Sequence, residues 1–289
     1  AHEDGVWSVA WHNAGNIVVS GGVDQAVRCW NANDGQLQHT WQDALLAIVS
    51  VDISRTGDVA LSTSMDHKLR VYDVKEGKLQ QTIEAGPGEA WSACFSPDAT
   101  QIAATSRTGA IHLWQTSAGT SLATLEGKGK FGMSVAYNAD GSMVACGTEN
   151  GAVQVWEVAT SRLLYSFEDH TKPVRAITFD VESGLLCTGS DDQRIHLYDA
   201  RHGNRIASLA GHQGWVTTLR AAGTGQQLVS GSTDRKVKVW DLGARQCVDT
   251  IQEHLDTIWS VAWNEDGKRF VSAGEDGSMR FYAAATSSA

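Results

Sequence analysis

The side chains best suited to chemistry are histidine, a hydroxyl residue and aspartate, and they recur in a fixed order, first as His2, Ser20 and Asp24, followed by Trp30. An imidazole between a hydroxyl and a carboxylate can activate that hydroxyl as a nucleophile. The order returns as His170, Thr188, Asp192 and Tyr198, as His212, Ser230, Asp234 and Trp240, and as His254, Ser272, Asp276 and Tyr282. A hydrolase needs one site with its own oxyanion donors, whereas these are four copies with no such donors apparent. Buried together, the groups satisfy one another, so they read as a structural network and no catalytic residue is assigned.

The elements that position these residues follow from their spacing. An aromatic stands at Trp30, Tyr72, Trp114, Trp156, Tyr198, Trp240 and Tyr282, a constant interval of 42 residues. Six residues before each stand Asp24, Asp66, Thr108, Asn150, Asp192, Asp234 and Asp276; the hydroxyl slot reads Ser20, Ser62, Ala104, Cys146, Thr188, Ser230 and Ser272. The histidine slot reads His2, Ala44, Gly86, Lys128, His170, His212 and His254, so units 2, 3 and 4 lack the imidazole and should open more easily. Between these marks lie short β-type runs such as Val6 to Trp11, Ile17 to Ser20, Val27 to Trp30 and Leu37 to Trp41, separated by turn signals. Each unit is four short antiparallel strands, a to d, and residues 1–289 form one all-β domain, a seven-bladed propeller. The seventh unit supplies strands a to c only, which predicts either further N-terminal residues that complete it or an open edge near Phe281.

With 33 acidic and 23 basic side chains the net charge is -10, which opposes attraction to phosphate backbones and anionic membranes. Direct nucleic-acid and membrane partners are therefore not expected. The N-terminus has neither the basic region nor the apolar run of a signal peptide, and a soluble, intracellular protein is expected. Cys29, Cys94, Cys146, Cys187 and Cys247 lie far apart, which predicts buried free thiols and no metal site or cofactor.

Binding residues are sought among those the core does not explain. Two slots open strand a, the innermost strand of each blade. The later reads Trp7, Val49, Trp91, Met133, Arg175, Thr217 and Trp259; the earlier reads Gly5, Ala47, Glu89, Phe131, Pro173, Trp215 and Thr257. In a regular strand Trp7 shares the parity of Val9 and Trp11 and packs between blades. Arg175 and Thr217 in the same slot argue against full burial, so both slots are expected to ring the mouth of the central channel. Trp7, Val49, Trp91, Phe131, Met133, Arg175, Trp215 and Trp259 are the expected partner contacts, suited to an apolar or aromatic peptide segment. One arginine and one glutamate in the rim give poor support to a phosphopeptide reader.

Gly211-His212 and Trp240-Asp241, within the seven in-phase units, resemble the WD-repeat family. That resemblance implies a bulge in strand a that turns the two slots onto the top face. The strings AHEDGVWSVAW at 1–11, VSVDIS at 49–54, AGPGEAWSACFSPD at 85–98 and GKFGMSVAY at 129–137 resemble the WD-repeat subunit family shared by the superkiller (Ski) RNA-decay complex and the Paf transcription elongation complex. The resemblance implies a non-catalytic scaffold, monomeric within a hetero-complex, with a helical-repeat subunit as partner and roles in cytoplasm and nucleus. A structural subunit of another large assembly, such as a ciliary axoneme, is the alternative.

Overall fold

A computed structural model describes residues 2–12, 16–86, 88–127, 130–182, 184–264 and 266–284, without the side chain of Glu89. Lys128 of the histidine slot and the run 285–289 lie outside the described residues.

The 42-residue interval becomes seven antiparallel sheets arranged as a closed ring, with no helix among the described residues. In blade 1, strands a to d are Val6–His12, Ile17–Gly22, Val27–Asn31 and Leu37–Trp41, paired in that order. Blades 2 to 6 repeat the pattern; blade 7 has the described strands Ile258–Trp263, Arg269–Gly274 and Met279–Ala283. The ring closes where strand a of blade 7 meets strand a of blade 1.

The core is not in the channel but in seven wedges, one between each pair of neighbouring blades. Val9, Trp11 and Val18 of blade 1 pack with Ala262 and Val271 of blade 7, and Val229, Val237 and Val239 of blade 6 pack with Ile258 and Phe270 of blade 7. Side-chain sizes match across each seam. A Cβ on Gly21 would meet Ile48 at 2.4 Å, one on Gly189 would meet Val216 at 2.6 Å, and one on Gly231 would meet Ile258 at 2.5 Å. Where strand b carries Thr63 or Thr105 instead, strand a of the next blade has shrunk to Ala90 or Gly132. Close packing forces this exchange of volume.

A hydroxyl at Ser8, Ser134, Thr218 and Ser260 stitches neighbouring inner strands. The amide of Val51 donates to Ser8 at 2.9 Å, that of Val261 to Thr218 at 3.1 Å and that of Val9 to Ser260 at 3.0 Å, the last joining blades 1 and 7. Ser134 Oγ donates to the carbonyl of Val174 at 3.2 Å.

Candidate functional site

The four polar sets are assembled inside their blades. His212 Nδ1 lies 2.9 Å from Asp234, its Nε2 lies 2.7 Å from Ser230 Oγ, and the Trp240 indole donates to the same oxygen at 2.8 Å. The line is satisfied with Trp240 donating to Ser230, Ser230 to His212, and His212 to Asp234. Blade 1 repeats it, with His2 at 2.8 Å from Asp24 and 2.7 Å from Ser20, and Trp30 at 2.8 Å from Ser20. In blade 7 His254 lies 2.7 Å from Ser272 and 3.0 Å from Asp276, while Tyr282 stands 3.4 Å from Ser272. In blade 5 His170 lies 2.8 Å from both Asp192 and Thr188, and the Tyr198 hydroxyl lies 3.2 Å from His196. All four hydroxyl residues, Ser20, Thr188, Ser230 and Ser272, have no exposed surface, so no substrate reaches them.

Each aspartate also holds the loop above it. Asp234 accepts the amides of Gln213 and Lys236 at 3.0 Å, and Asp276 accepts the amide of Leu255 at 3.0 Å. Burial raises the Asp234 carboxyl, but the bond from His212 and the two amides outweigh it and bring its pKa to about 2. Asp24, Asp192 and Asp276 reach about 2 by the same opposition of burial and bonding.

Blade 2, which carries Ala44 in the histidine slot, is not left without a network. Arg70, almost fully buried, donates to Asp66 at 2.6 Å and to Ser64 at 3.0 Å, and Ser62 lies 3.3 Å from Tyr72. Its slot, four residues after the aspartate, reads Arg28, Arg70, His112, Gln154, His196, Lys238 and Arg280. Arg28 pairs with Asp24 at 2.5 Å, and His196 stacks on His170 with ring centroids 3.9 Å apart. Blades 2 to 4 are the ones expected to open more easily; in blade 2 a guanidinium reaches the carboxylate from strand c instead of from the loop.

The bulge is present where the later slot stands. Pairing steps from Val6 to Ser8, Ile48 to Ser50, Gly132 to Ser134, Val174 to Ala176, Val216 to Thr218 and Ile258 to Ser260, leaving one residue extra each time. In blade 3 the irregularity is wider, and Ala90 takes φ 62°. The extra residue escapes the inter-blade parity and faces the channel. Trp7, Val49, Trp91, Met133, Arg175, Thr217 and Trp259 all line one cavity of about 360 Å³ at the upper mouth.

One expectation needs correction. Thr217 is buried, because its hydroxyl donates to the carbonyls of Gly231, at 3.0 Å, and Ile258. Among the described side chains, the earlier slot does not line the cavity. Its backbone carbonyl is tied to the b–c turn, Phe131 accepting from Glu149 at 2.9 Å and Trp215 from Thr233 at 3.1 Å, which leaves Phe131 and Trp215 outside the cavity wall. Phe131 packs edge-on against Trp91 at 5.4 Å; Trp215, 42% exposed, lies under the Arg175 guanidinium at 4.9 Å.

The turn that anchors the rim also supplies residues the sequence reading missed. Glu275 Oε2 accepts the indole N–H of Trp7 at 3.1 Å and of Trp259 at 2.7 Å. Asp191, at the equivalent position, holds Arg175 through two bonds of 2.5 and 2.9 Å, so this arginine is not free for a ligand anion. Both positions immediately precede a network aspartate, the signal that could have revealed them. Leu45 and Leu255, 72% and 78% exposed, were also missed; each directly follows the histidine slot. Cys247 is exposed, contrary to the expected burial of all five thiols, since strand d is the outer edge of its blade.

Comparison with known families fits this geometry. The family model described as IFT122 first beta-propeller matches residues 1–241, and the model described as WD domain, G-beta repeat matches residues 245–282. WD-repeat propellers are generally non-enzymatic scaffolds that bind other proteins. The first match spans most of the chain, and the chain belongs to the WD-repeat propeller family, within the IFT122 first-propeller type.

Proposed function

We propose that the chain is a non-catalytic platform that grips an apolar or aromatic peptide segment of a partner protein on its top face. The observation that carries this reading is the bulge, which turns Trp7, Trp91, Trp259, Val49 and Met133 out of the wedges and around an open cavity. Phe131, Trp215 and Arg175 flank that mouth, and Leu45 and Leu255 extend the apolar surface. Large aromatic side chains held half-open by hydrogen bonds are the composition of an interaction hot spot. A helical-repeat subunit remains the partner class we propose, with the propeller a single copy within a hetero-complex.

For the parent assembly, the family-model match favours the ciliary reading over the Ski or Paf complex. Affinity capture from ciliated cells with cross-linking mass spectrometry tests both parts. Recovery of ciliary proteins cross-linked to the top face is the expected result; recovery of Ski helicase or Paf elongation subunits instead would reverse the choice of assembly. Cross-links confined to the outer strands would overturn the top-face reading.

A further inference from the structure

Below the rim, strand a contributes a second inward layer at the next residue of the same parity as the hydroxyl ring. Four of its seven positions carry functional groups, namely Asp52, Cys94, Thr178 and Arg220, and the other three are alanine. Arg220 lines both the upper cavity and the cavity below it, so its guanidinium stands at the throat of the channel. It donates to no described side chain or carbonyl and forms no ion pair among the described residues. Asp52 is within its electrostatic reach but lines only the lower cavity, and its Oδ2 accepts the amide of Phe95 at 2.8 Å. Burial in the channel raises the Asp52 carboxyl, which weakens it as a counter-charge.

The upper cavity thus presents at its floor a cation that forms no ion pair among the described residues. Its wall adds the half-buried hydroxyls of Ser50 and Ser92, which make no side-chain hydrogen bond among the described residues. The other rim cation, Arg175, is neutralised by Asp191. We infer that the throat receives one carboxylate side chain, an Asp or Glu of the bound segment, while the apolar residues beside it rest on the tryptophan rim. This inference rests on the top-face reading above. A single guanidinium with hydroxyls suits a carboxylate; a phosphate dianion calls for clustered cations. The net charge of -10 sets a further limit, since long-range repulsion disfavours an acidic run and leaves room for one buried contact at close range.

The probe is a displayed library of random 12-residue peptides selected against the immobilised chain, followed by fluorescence anisotropy on the dominant peptide and its acid-to-amide analogue. Selected peptides are expected to combine aromatic or apolar residues with one Asp or Glu. The amide analogue is expected to bind the unaltered chain about tenfold or more weakly, as for a lost hydrogen bond between charged groups. Arg220→Met, checked by its melting curve, should bind both peptides alike. Asp52→Asn, which removes the competing carboxylate, should widen the difference, and it serves as the test if Arg220→Met does not fold. Selected peptides without an acidic residue, or an acid preference unchanged in Arg220→Met or in Asp52→Asn, would overturn the throat assignment while leaving the rim intact. Binding that survives Trp7→Ala with Trp259→Ala would overturn the rim, and the throat assignment with it.

Discussion

Replacing Asp234 by alanine removes three acceptor bonds, one to His212 at 2.9 Å and two to the amides of Gln213 and Lys236 at 3.0 Å. The charge-assisted bond is worth about 1.5–3 kcal/mol and each amide about 1 kcal/mol, which brings the cost to about 3–5 kcal/mol. Part of that cost is the imidazole left buried without its partner, the usual penalty of breaking a buried pair from one side. Water opposes the loss: the carboxylate side chain is 8% exposed, so a water entering at that edge pulls the cost toward the lower figure. At about 2–4 °C per kcal/mol for a chain of this size, the melting temperature should fall by roughly 6–20 °C. Differential scanning calorimetry measures it, with Asp241→Ala as control. Asp241 follows Trp240 but accepts one amide only, that of Ala244 at 2.7 Å, and its loss should cost no more than about 1 kcal/mol. A melting temperature for Asp234→Ala within about 2 °C of the unaltered chain, or an equal loss in the control, would refute the network as a source of stability.

Burial, with the nearby His170, depresses His196 to about 4. Because a depressed imidazole resists protonation in the fold, its contribution is fully present above pH 6.5 and is lost as pH falls toward 4. That loss amounts to about 3 kcal/mol, and His196→Gln should flatten the urea-midpoint profile over the same interval. A profile unchanged by the substitution would count against the assignment. In blade 2, Arg70→Met leaves Asp66 buried without its cation and should cost about 3–5 kcal/mol by urea unfolding, a cost that an unneeded guanidinium would not show. At the seam between blades 6 and 7, Gly231→Thr should destabilise by about 1–3 kcal/mol through collision with Ile258. Adding Ile258→Ala, which recreates the Thr63 and Ala90 pairing, should cost less than the two single changes together; strict additivity would speak against size matching.

The propeller was legible because period and side-chain type repeat without insertion, from Trp30 to Tyr282. The aspartate, hydroxyl and histidine slots were legible for the same reason. The bulge was not legible from the residues: alternation places Trp7 with Val9 and Trp11, and one unpaired residue reverses that placement without marking the sequence. Only the family resemblance supplied it. Glu275 and Asp191 escaped notice because their partners lie across a turn or on the neighbouring blade, contacts that spacing along one strand does not encode. Arg70 was overlooked because its slot holds arginine, histidine, glutamine and lysine by turns, so chemical identity concealed a shared position. The throat cation Arg220 has no counterpart at its slot in the other six blades, and repetition cannot reveal a residue that departs from the repeat.

On the function proposed above, the aromatic rim, and not the polar sets, carries binding. Its most direct test is co-purification of the captured partner with Trp7→Glu combined with Trp259→Glu. Both indoles share Glu275, so the new carboxylates meet an existing one and make the mouth anionic without entering a wedge. The expected result is a folded propeller, with a melting temperature within a few degrees of the unaltered chain, that no longer retains its partner. Full retention of the partner by that folded double variant would contradict it.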